Sequence, residues 1–341
     1  MPPPISLVHI SILVVLVACS ALLHTSSSSR STSVAQQAQT CVSHDLANPI
    51  ASLFPNNATG VLNATLAIVP IPLETARRLI PHQYGILEHA YRAVMPDFPE
   101  GMYPLLVQAA HDHDVQLKAL DIRLDDFSRI GLEFPFVDLL NDGYSSFRWA
   151  PAQLISAGHD IALQGSAAYG TRVSPATFDP ACDAYQRHGD DTTTSFSAKS
   201  ADSSSYAEIR VSPLPSPPSA TTSSPPPYSL DVFKNITNQP TFANGSSCDN
   251  MIRLFNTSMS PVYHAPVFVR GSVRANLAPL EDGPVEWTGV YGVQVATPFI
   301  ENNYLDCGAM RGYRGTGGEG DSWGIGSTGS SSSVFNANDG F

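Results

Sequence analysis

The sequence predicts an α+β fold in which an antiparallel β-barrel carries a few short helices. Apolar residues alternate most regularly in Val61–Val69 and Val285–Ala296, a pattern typical of strands with two different faces. The segments Asn141–Gly143 and Asp282–Gly283 precede strand patterns and favour hairpin turns. Helical spacing is confined to short stretches. Many strands joined by tight turns therefore favour a closed or nearly closed barrel.

The first strand and helix follow from the order of the apolar residues. In Val61–Val69 the even-numbered residues are apolar and share one face, which leaves Asn63 and Thr65 on the other. The segment Pro70–Pro72 ends this strand, and its second proline suits the first position of a helix. Apolar residues then recur at helical spacing as far as Ile80, where another proline ends the helix.

More strand patterns follow along the chain. They are Tyr103–Ala110, Phe127–Phe136, Tyr144–Trp149, Ile161–Tyr169 and Val267–Val273. Most are short and rich in aromatic or β-branched residues, as strands of an antiparallel barrel are. We therefore expect one barrel domain over residues 41–311.

Three regions outside these patterns are poor in core residues. Residues 1–35 form a predicted signal peptide and Ser-rich leader. Residues 190–228 are crowded with Ser, Thr and Pro, and we expect a disordered insertion there. Residues 312–341 are a Gly/Ser-rich tail that is also expected to be disordered.

The leader predicts export from the cell. Ile10–Leu23 is an apolar run of the length of a signal-peptide core, with small-residue cleavage sites after Ser20 and Ala35. An uncleaved anchor that tethers the protein to the membrane and a lipoprotein signal at Leu16–Cys19 are the alternatives. After cleavage we expect a secreted protein without a membrane segment.

Cysteines and sequons agree with export. Four cysteines would remain after cleavage, which predicts two disulfides with three possible pairings, or else buried free thiols. They are Cys41, Cys182, Cys248 and Cys307. Five asparagines begin N-glycosylation sequons: Asn57, Asn63, Asn235, Asn244 and Asn256. Asn63 looks the best placed, because it lies on the polar face of the first strand.

The charge of the chain excludes two classes of partner. The formal net charge is −12, with 18 Lys and Arg among 341 residues. Nucleic acids and anionic membranes both require clustered basic residues. We therefore expect neither as a partner.

Two segments together resemble the acetoacetate decarboxylase family. Asn63–Pro81 is similar to the opening of that family, where a strand runs into a short helix that ends in (V/I)P. Asp160–Gly170 is similar to its Gly-Arg-Glu-x-(Trp/Tyr)-Gly segment, at a suitable distance. The resemblance covers residues 61–176 well and implies a barrel-like α+β domain with an apolar internal cavity.

The chemistry of that family is not expected here. The resemblance implies a buried lysine just after the aromatic-Gly pair, which forms a Schiff base with a β-keto acid. In this chain Tyr169-Gly170 is followed by Thr171–Ser174, and Arg172 cannot act as an amine nucleophile. The only lysines are Lys118, Lys199 and Lys234. We therefore expect no Schiff-base chemistry and no organic cofactor.

Charged residues inside apolar strands are candidates for a binding site. Arg129 and Glu133 are four residues apart and can share a strand face, which favours an internal ion pair. Arg148, between Phe147 and Trp149, either binds the carboxylate of a ligand or packs on the barrel exterior. With Tyr169 and Arg172 it would supply the polar contacts to a ligand.

A metal site is the main alternative. His111 and His113 would share one face of a strand and could bind one divalent metal ion. The candidates for a third ligand are His264, Glu133 and Asp126. Without a metal, these histidines would form hydrogen bonds at an acidic strand end.

Three functions follow from these residues. The leading hypothesis is a secreted glycoprotein whose barrel binds or transforms a small, largely apolar organic acid without a Schiff base. The second is a metal-dependent lyase or hydrolase that uses His111 and His113. The third is a non-catalytic extracellular protein in which the barrel interior is packed.

Overall fold

The computed structural model describes residues 45–187, 192–215, 226–255, 265–280 and 283–312. All of them belong to one compact unit, Thr40–Phe341. The predicted leader, nearly all of the predicted tail, and Cys41, Asn256 and His264 lie outside the described residues. No helix in the described ranges is long and apolar enough to span a membrane.

The described residues form fourteen strands and four short α-helices. The strands are β1 (Ala58–Pro72), β2 (Gly85–Ile86), β3 (Met102–Leu117), β4 (Ile122–Arg123), β5 (Phe127–Asp138), β6 (Phe147–Ser156), β7 (Arg172–Asp179), β8 (Gln186–Arg187), β9 (Thr194–Ser200), β10 (Tyr206–Pro213), β11 (Thr241–Phe242), β12 (Cys248–Arg253), β13 (Val267–Asn276) and β14 (Val285–Leu305). The helices are α1 (Leu73–Leu79), α2 (Glu88–Val94), α3 (Asp160–Ala168) and α4 (Leu230–Thr237). Two 3₁₀ turns lie at Lys118–Leu120 and Cys307–Met310.

Nine strands close into a ring. Their order is β6, β7, β9, β10, β13, β14, β1, β3 and β5, and β5 pairs with β6 again. Every neighbour in this ring is antiparallel except β6 and β7. The predicted α+β antiparallel barrel with a few short helices is thereby confirmed.

A second set of strand pairings closes another ring beside the nine-stranded one. β11 pairs with β6 and with β12, and β12 pairs with the second half of β14. The strands β14, β1, β3, β5 and β6 therefore belong to two closed rings at once. They form a shared wall, and almost every side chain of β1 is buried although successive ones point to opposite faces. Residues on the two faces of this wall line different compartments.

The segment predicted as a strand at Ile161–Tyr169 is helical. It contains α3, which begins after His159, whose Nδ1 accepts a hydrogen bond from the Ala162 amide at 3.1 Å. Ala, Leu and Gln dominate this stretch, and these residues favour a helix. The strand prediction was wrong because an apolar stretch without strict alternation does not specify a strand.

The expected disordered insertion at 190–228 is largely replaced by two barrel strands. β9 and β10 occupy most of residues 194–213, and their alternate side chains are buried. Phe196 and Ile209 are paired neighbours on the inner face, whereas the Ser residues of β9 lie mainly on the outer face. The high Ser content marks the outward positions of these strands, and residues 216–225 lie outside the described part.

The described cysteines are all in disulfides. Cys248 at the start of β12 is bonded to Cys307 after β14, with a Cα–Cα distance of 5.1 Å. Cys182 is disulfide-bonded as well. This confirms the prediction of a disulfide and fixes one pairing among the three that the sequence allowed.

The sequon asparagines differ in their exposure. Asn63 is buried inside the barrel, where its Nδ2 donates to Asp45, and Asn235 is buried on α4. Asn57 is half-buried and Asn244 is exposed. The favoured position of Asn63 was therefore wrong: its face of the strand is polar, but it faces the interior.

We predict that protein produced in a glycosylating host carries no glycan at Asn63 or Asn235. A glycan has no room at a buried side chain. Enzymatic deglycosylation in H₂¹⁸O followed by peptide mass spectrometry labels each modified asparagine. Labelled Asn63 in folded protein would contradict the observed orientation of β1, while Asn244 serves as the accessible comparison site.

The close approach of β10 and β13 predicts a sensitive glycine. A Cβ on Gly271 would lie 1.9 Å from the carbonyl oxygen of Arg210. We expect Gly271→Ala to lower the free energy of unfolding by about 2 kcal/mol or more, since backbone must move. Gly165→Ala is the control, because a Cβ there meets no atom within 4 Å. It should stabilise α3 by roughly 0.5–1 kcal/mol. Equal denaturant midpoints for the two variants would refute the proposed contact.

Candidate functional site: a buried charge cluster

One face of the shared wall carries charged residues. The register places Ala110 of β3 opposite Arg129 of β5, and Leu106 opposite Glu133. Paired residues point to the same face, so Arg129 and Glu133 lie on the face that also carries Asp112. β6, β12 and β14 add further charged side chains. We call the following set the charge cluster: Asp112, Arg129, Glu133, Arg148, Asp249, Arg253 and Glu301.

Two ion pairs hold part of the charge cluster together. Arg129 donates from Nε and Nη2 to the two carboxylate oxygens of Asp112, at 2.7 and 3.1 Å. Arg148 Nε lies 2.8 Å from Glu133 Oε2, and both side chains are almost fully buried. Burial by itself lowers the pKa of Arg129, but the contact with Asp112 outweighs it and the pKa is raised. Each of the two arginines is therefore paired with a carboxylate on a neighbouring strand.

The predicted pairing of Arg129 with Glu133 was wrong. Residues four apart on a strand are about 13 Å apart along its axis. The partner of each is instead on a neighbouring strand, Asp112 on β3 for Arg129 and Arg148 on β6 for Glu133. Cross-strand neighbours are closer than residues four apart on the same strand.

The three residues predicted to contact a ligand do not come together. Arg148 points inward, but its Nη1 donates to Thr237 O and its Nη2 to Thr241 Oγ1, so protein groups occupy its donors. Tyr169 is buried after α3, and its Oη accepts from the Tyr304 amide at 3.1 Å. Arg172 is exposed at the start of β7. Arg148 is therefore a structural member of the charge cluster.

Arg253 is a buried arginine without a carboxylate partner. Its Nη2 donates to Gln108 Oε1 at 2.8 Å, and its Nη1 donates to the Thr237 and Met251 carbonyls. Its Nε has no hydrogen-bond partner among the described residues. Burial, followed by the charges of Arg148 and Arg129, lowers the pKa of Arg253 to about 9. A charge at Arg253 is thus costly and would be stabilised by an added anion.

Asp249 and Glu301 are two acids that neither ion pair uses. They lie on the paired strands β12 and β14, where Met251 faces Glu301 in the register. Burial raises the pKa of Asp249 to about 6, against the lowering effect of Arg148 and Arg129. Burial and the charge of Asp249 raise the pKa of Glu301 to about 8. At neutral pH the two carboxyl groups therefore hold about one proton between them.

Asp249 and Glu301 are each half-buried by surface area, and burial is the main cause of their raised pKa values. From these two properties we infer a partly enclosed space beside the two acids, which we call the recess. Arg129 borders the same space, because its side chain keeps 12% of its surface exposed and its charge acts on both acids. Asp249 Oδ1 has no hydrogen-bond partner within the described ranges.

Two tyrosines lie beside the acids. The rings of Tyr169 and Tyr304 stack with centroids 5.3 Å apart. Burial, followed by the charges of Asp249 and Glu301, raises the pKa of Tyr169. Both phenols therefore stay neutral and give the recess an apolar, aromatic side.

Sequence reasoning missed Arg253, Asp249 and Glu301. Arg253 lies in the apolar run from Met251 to Phe255, and an isolated charge in such a run signals a buried partner or site. Glu301 follows an apolar strand in the same way. Neither residue could be connected to Arg129 without the pairing of β12 with β14.

The histidines lie on the opposite face of the shared wall. His111 and His113 are fully buried, with their rings nearly parallel and their centroids 6.2 Å apart. His111 Nδ1 is 2.9 Å from Ser128 Oγ, and His113 contacts Asp114 and Asn63. Burial lowers the pKa of His111. In the described part of the chain no group of three His, Cys, Asp or Glu is arranged to hold a metal ion.

The structure describes two of the three candidates for a third metal ligand. Glu133 pairs with Arg148 on the other face of the wall, whereas Asp126 accepts from the Asp114 amide and its charge acts on His111. Glu133 is therefore separated from the histidines, and Asp126 is near them but forms no three-ligand group with them in the described part of the chain.

The lysines do not lie in the interior. Lys118 is exposed in the turn after β3, where its Nζ donates to Ser52 Oγ at 2.6 Å. Lys199 is exposed on the outer side of β9, and Lys234 is half-buried on α4. None of the three side chains is buried, whereas a Schiff-base lysine of the kind that the resemblance implies is enclosed in an apolar pocket.

Comparisons with known proteins agree with the barrel but are distant. No protein-family model and no curated protein matches the chain. Solved structures that match include the enduracididine biosynthesis enzyme MppR with HEPES bound, with the condensation product of pyruvate and imidazole 4-carboxaldehyde, and with pyruvate. Identities are 10%, 10% and 8%, and TM-scores are 0.37, 0.37 and 0.36. They cover 74%, 74% and 73% of this chain and 88%, 90% and 91% of those chains.

The TM-scores of these matches are too low to carry any argument about family, activity, ligand or site residues, and the fold described above depends on the strand pairings of this chain alone.

The raised pKa of Glu301 predicts a pH-dependent stability. Its pKa is about 8 in the folded protein against an ordinary 4.5. Between these values Glu301 binds more protons in the folded state than in the unfolded state. Its contribution to stability is therefore fully present at low pH and is lost as the pH rises towards 8. We expect Glu301→Gln to remove part of this fall and to raise the Tm at pH 8. Glu286→Gln, an exposed change on the same strand, should leave the profile unchanged. Thermal unfolding from pH 5 to 9 measures both, and parallel profiles would contradict the burial of Glu301.

Proposed function

We propose that the recess beside the charge cluster binds a small organic acid and exchanges a proton with it. The observation that carries this proposal is that three charged residues of the cluster are left outside its two ion pairs. Asp112 and Glu133 pair with Arg129 and Arg148, which leaves Arg253 without a carboxylate. The remaining acids, Asp249 and Glu301, share about one proton at neutral pH. Perturbed groups of this kind concentrate at functional sites.

The ligand's carboxylate would lie on the arginine side of the recess. Arg129 donates hydrogen bonds to Asp112 from Nε and Nη2. Its Nη1 forms no hydrogen bond with the described residues. Arg253 Nε is the second available donor. Guanidinium groups bind carboxylates well because their N–H donors lie in one plane. The apolar part of the ligand would contact the Tyr169 and Tyr304 rings.

Binding of an anion would be coupled to uptake of a proton. At neutral pH Asp249 is mostly charged and repels an incoming carboxylate, whereas its protonated form donates a hydrogen bond. Protonation of Asp249 or Glu301 therefore favours binding of the anion. The same coupled pair can give a proton to the ligand and take one back, which is the requirement for general acid–base catalysis.

This proposal needs no amine nucleophile. The position after Tyr169-Gly170 has no lysine, and the three lysines of the chain lie away from the recess. The metal-dependent lyase or hydrolase at His111 and His113 stays a prediction that the described contacts do not favour. Secretion and glycosylation are part of the same proposal and are supported only by the leader and the sequons.

We predict that the affinity for small carboxylates falls by about tenfold or more between pH 6 and pH 9, because a proton is taken up on binding. The probes are butyrate and benzoate, with butyramide and benzamide as neutral isosteres. Isothermal titration calorimetry in buffers of different ionisation enthalpy gives both the affinity and the number of protons taken up. The amides should bind more weakly and without this dependence on pH.

Glu301→Gln separates the role of the recess from nonspecific charge effects. Gln has the shape of the protonated acid, so the variant should fold and bind butyrate with a smaller dependence on pH. Glu286→Gln is the matched control and should behave as the unchanged protein does. Absence of saturable binding for every probe, or the same pH dependence in both variants, would exclude the recess as the site. Native mass spectrometry of the same samples would report a bound metal ion if the alternative holds.

A further inference from the structure

The outer surface of the barrel has a basic face although the chain is acidic. Outward positions of β9, β10 and β13 carry four exposed cations. Two partly exposed tyrosines come from the same region of the sheet. We call these residues the outer arginine face: Lys199, Arg210, Arg270, Arg274, Tyr206 and Tyr291. The chain as a whole has a net charge of −12. Cations are therefore concentrated here against the general trend.

The register explains why these side chains meet. Arg210 of β10 is opposite Ser272 of β13, and Ser272 lies midway between Arg270 and Arg274. The three guanidinium groups thus follow one line along two adjacent strands, with steps of about 7 Å along the strand axis. Their inward neighbours Ile209, Val211 and Val273 are buried in the barrel, which fixes the outward direction of the arginines.

Two of the arginines lie over aromatic rings. The guanidinium of Arg270 lies 5.2 Å from the ring centroid of Tyr291, and that of Arg274 lies 5.5 Å from that of Tyr206. Such stacking orients a guanidinium and leaves its edge N–H groups available. Within the described ranges, none of the arginines of this face is in an ion pair.

The remaining outward residues on these strands and on the neighbouring β14 mainly carry hydroxyl groups. They are Ser195, Ser197, Ser212, Ser272 and Thr288. Among the described residues three acids share this surface: Glu208 and Glu286 flank Arg274 in the register, and the exposed Asp179 of β7 is opposite Ser197. The face therefore combines guanidinium groups, phenol rings and hydroxyl groups on a continuous sheet surface.

We infer that the outer arginine face binds an anionic polysaccharide. Carboxylates or sulfates along such a polymer would contact Arg210, Arg270 and Arg274, and the serine hydroxyls would hydrogen-bond to the sugar hydroxyls. A repeating anion suits a line of repeating arginines, whereas a single small anion would engage only one of them. The acidic remainder of the surface repels a polyanion and confines it to this face. This inference does not depend on the interior recess.

The test compares two matched double variants of the full chain. Arg210→Gln/Arg270→Gln removes two cations from the outer arginine face. Arg78→Gln/Arg123→Gln removes two exposed cations elsewhere. Binding to immobilised polygalacturonate and dextran sulfate is measured at 50 and 150 mM NaCl, with neutral dextran as the control polymer. Polygalacturonate tests carboxylate recognition and dextran sulfate tests sulfate recognition.

We expect saturable binding to at least one anionic polymer and none to neutral dextran. The face variant should bind about tenfold more weakly, and the control variant should match the unchanged protein. A third variant, Glu208→Gln/Glu286→Gln, removes the two carboxylates that flank Arg274 and should bind more tightly. Misfolding cannot produce such a gain. No saturable binding, equal losses in the two arginine variants, or preferential binding to anionic lipid vesicles would each overturn the inference.

Discussion

The burial of one five-stranded wall on both of its faces determines the rest of this structure. β14, β1, β3, β5 and β6 are shared by two closed rings, and most side chains on both faces of β1, β3, β5 and β6 are buried, whereas the first half of β14 keeps exposed positions. In an ordinary barrel the outward residues of such strands would be exposed and their polarity would need no explanation. Here each polar side chain on either face must find a partner inside the protein. The charge cluster and the buried histidines both follow from this requirement.

On the charged face, ion pairs neutralise four residues of the charge cluster and leave three outside them. Two arginines are neutralised by acids on adjacent strands, as buried ion pairs require. Arg253, Asp249 and Glu301 are held near one another but are not paired, and their pKa values are displaced as a result. Such displaced pKa values make folding less favourable, and residues that carry this cost are concentrated in functional sites. On the other face, His111 and His113 have local hydrogen-bond partners, but the buried Nε2 of His111 has none among the described residues.

The short strands β11 and β12 have an effect out of proportion to their length. They connect β6 to β14 and bring Asp249 and Arg253 against the wall. The Cys248–Cys307 disulfide ties the beginning of β12 to the segment after β14. Covalent closure at this point keeps the acids of the recess on paired strands. The outer face of the barrel, by contrast, is free to carry a different chemistry, since its side chains do not contact the interior.

The sequence by itself determined the local features of the protein. Alternation specified β1, proline positions bounded α1, and the even number of cysteines after the predicted leader indicated a disulfide. Tertiary structure decided what local pattern does not encode. Polar Asn63 lies inside because its face of β1 lines the nine-stranded ring beside His111. Ser-rich β9 is ordered because its alternate residues fill the barrel. The partners of Arg129 and the recess at Glu301 depend on strand register, which joins residues far apart in the chain.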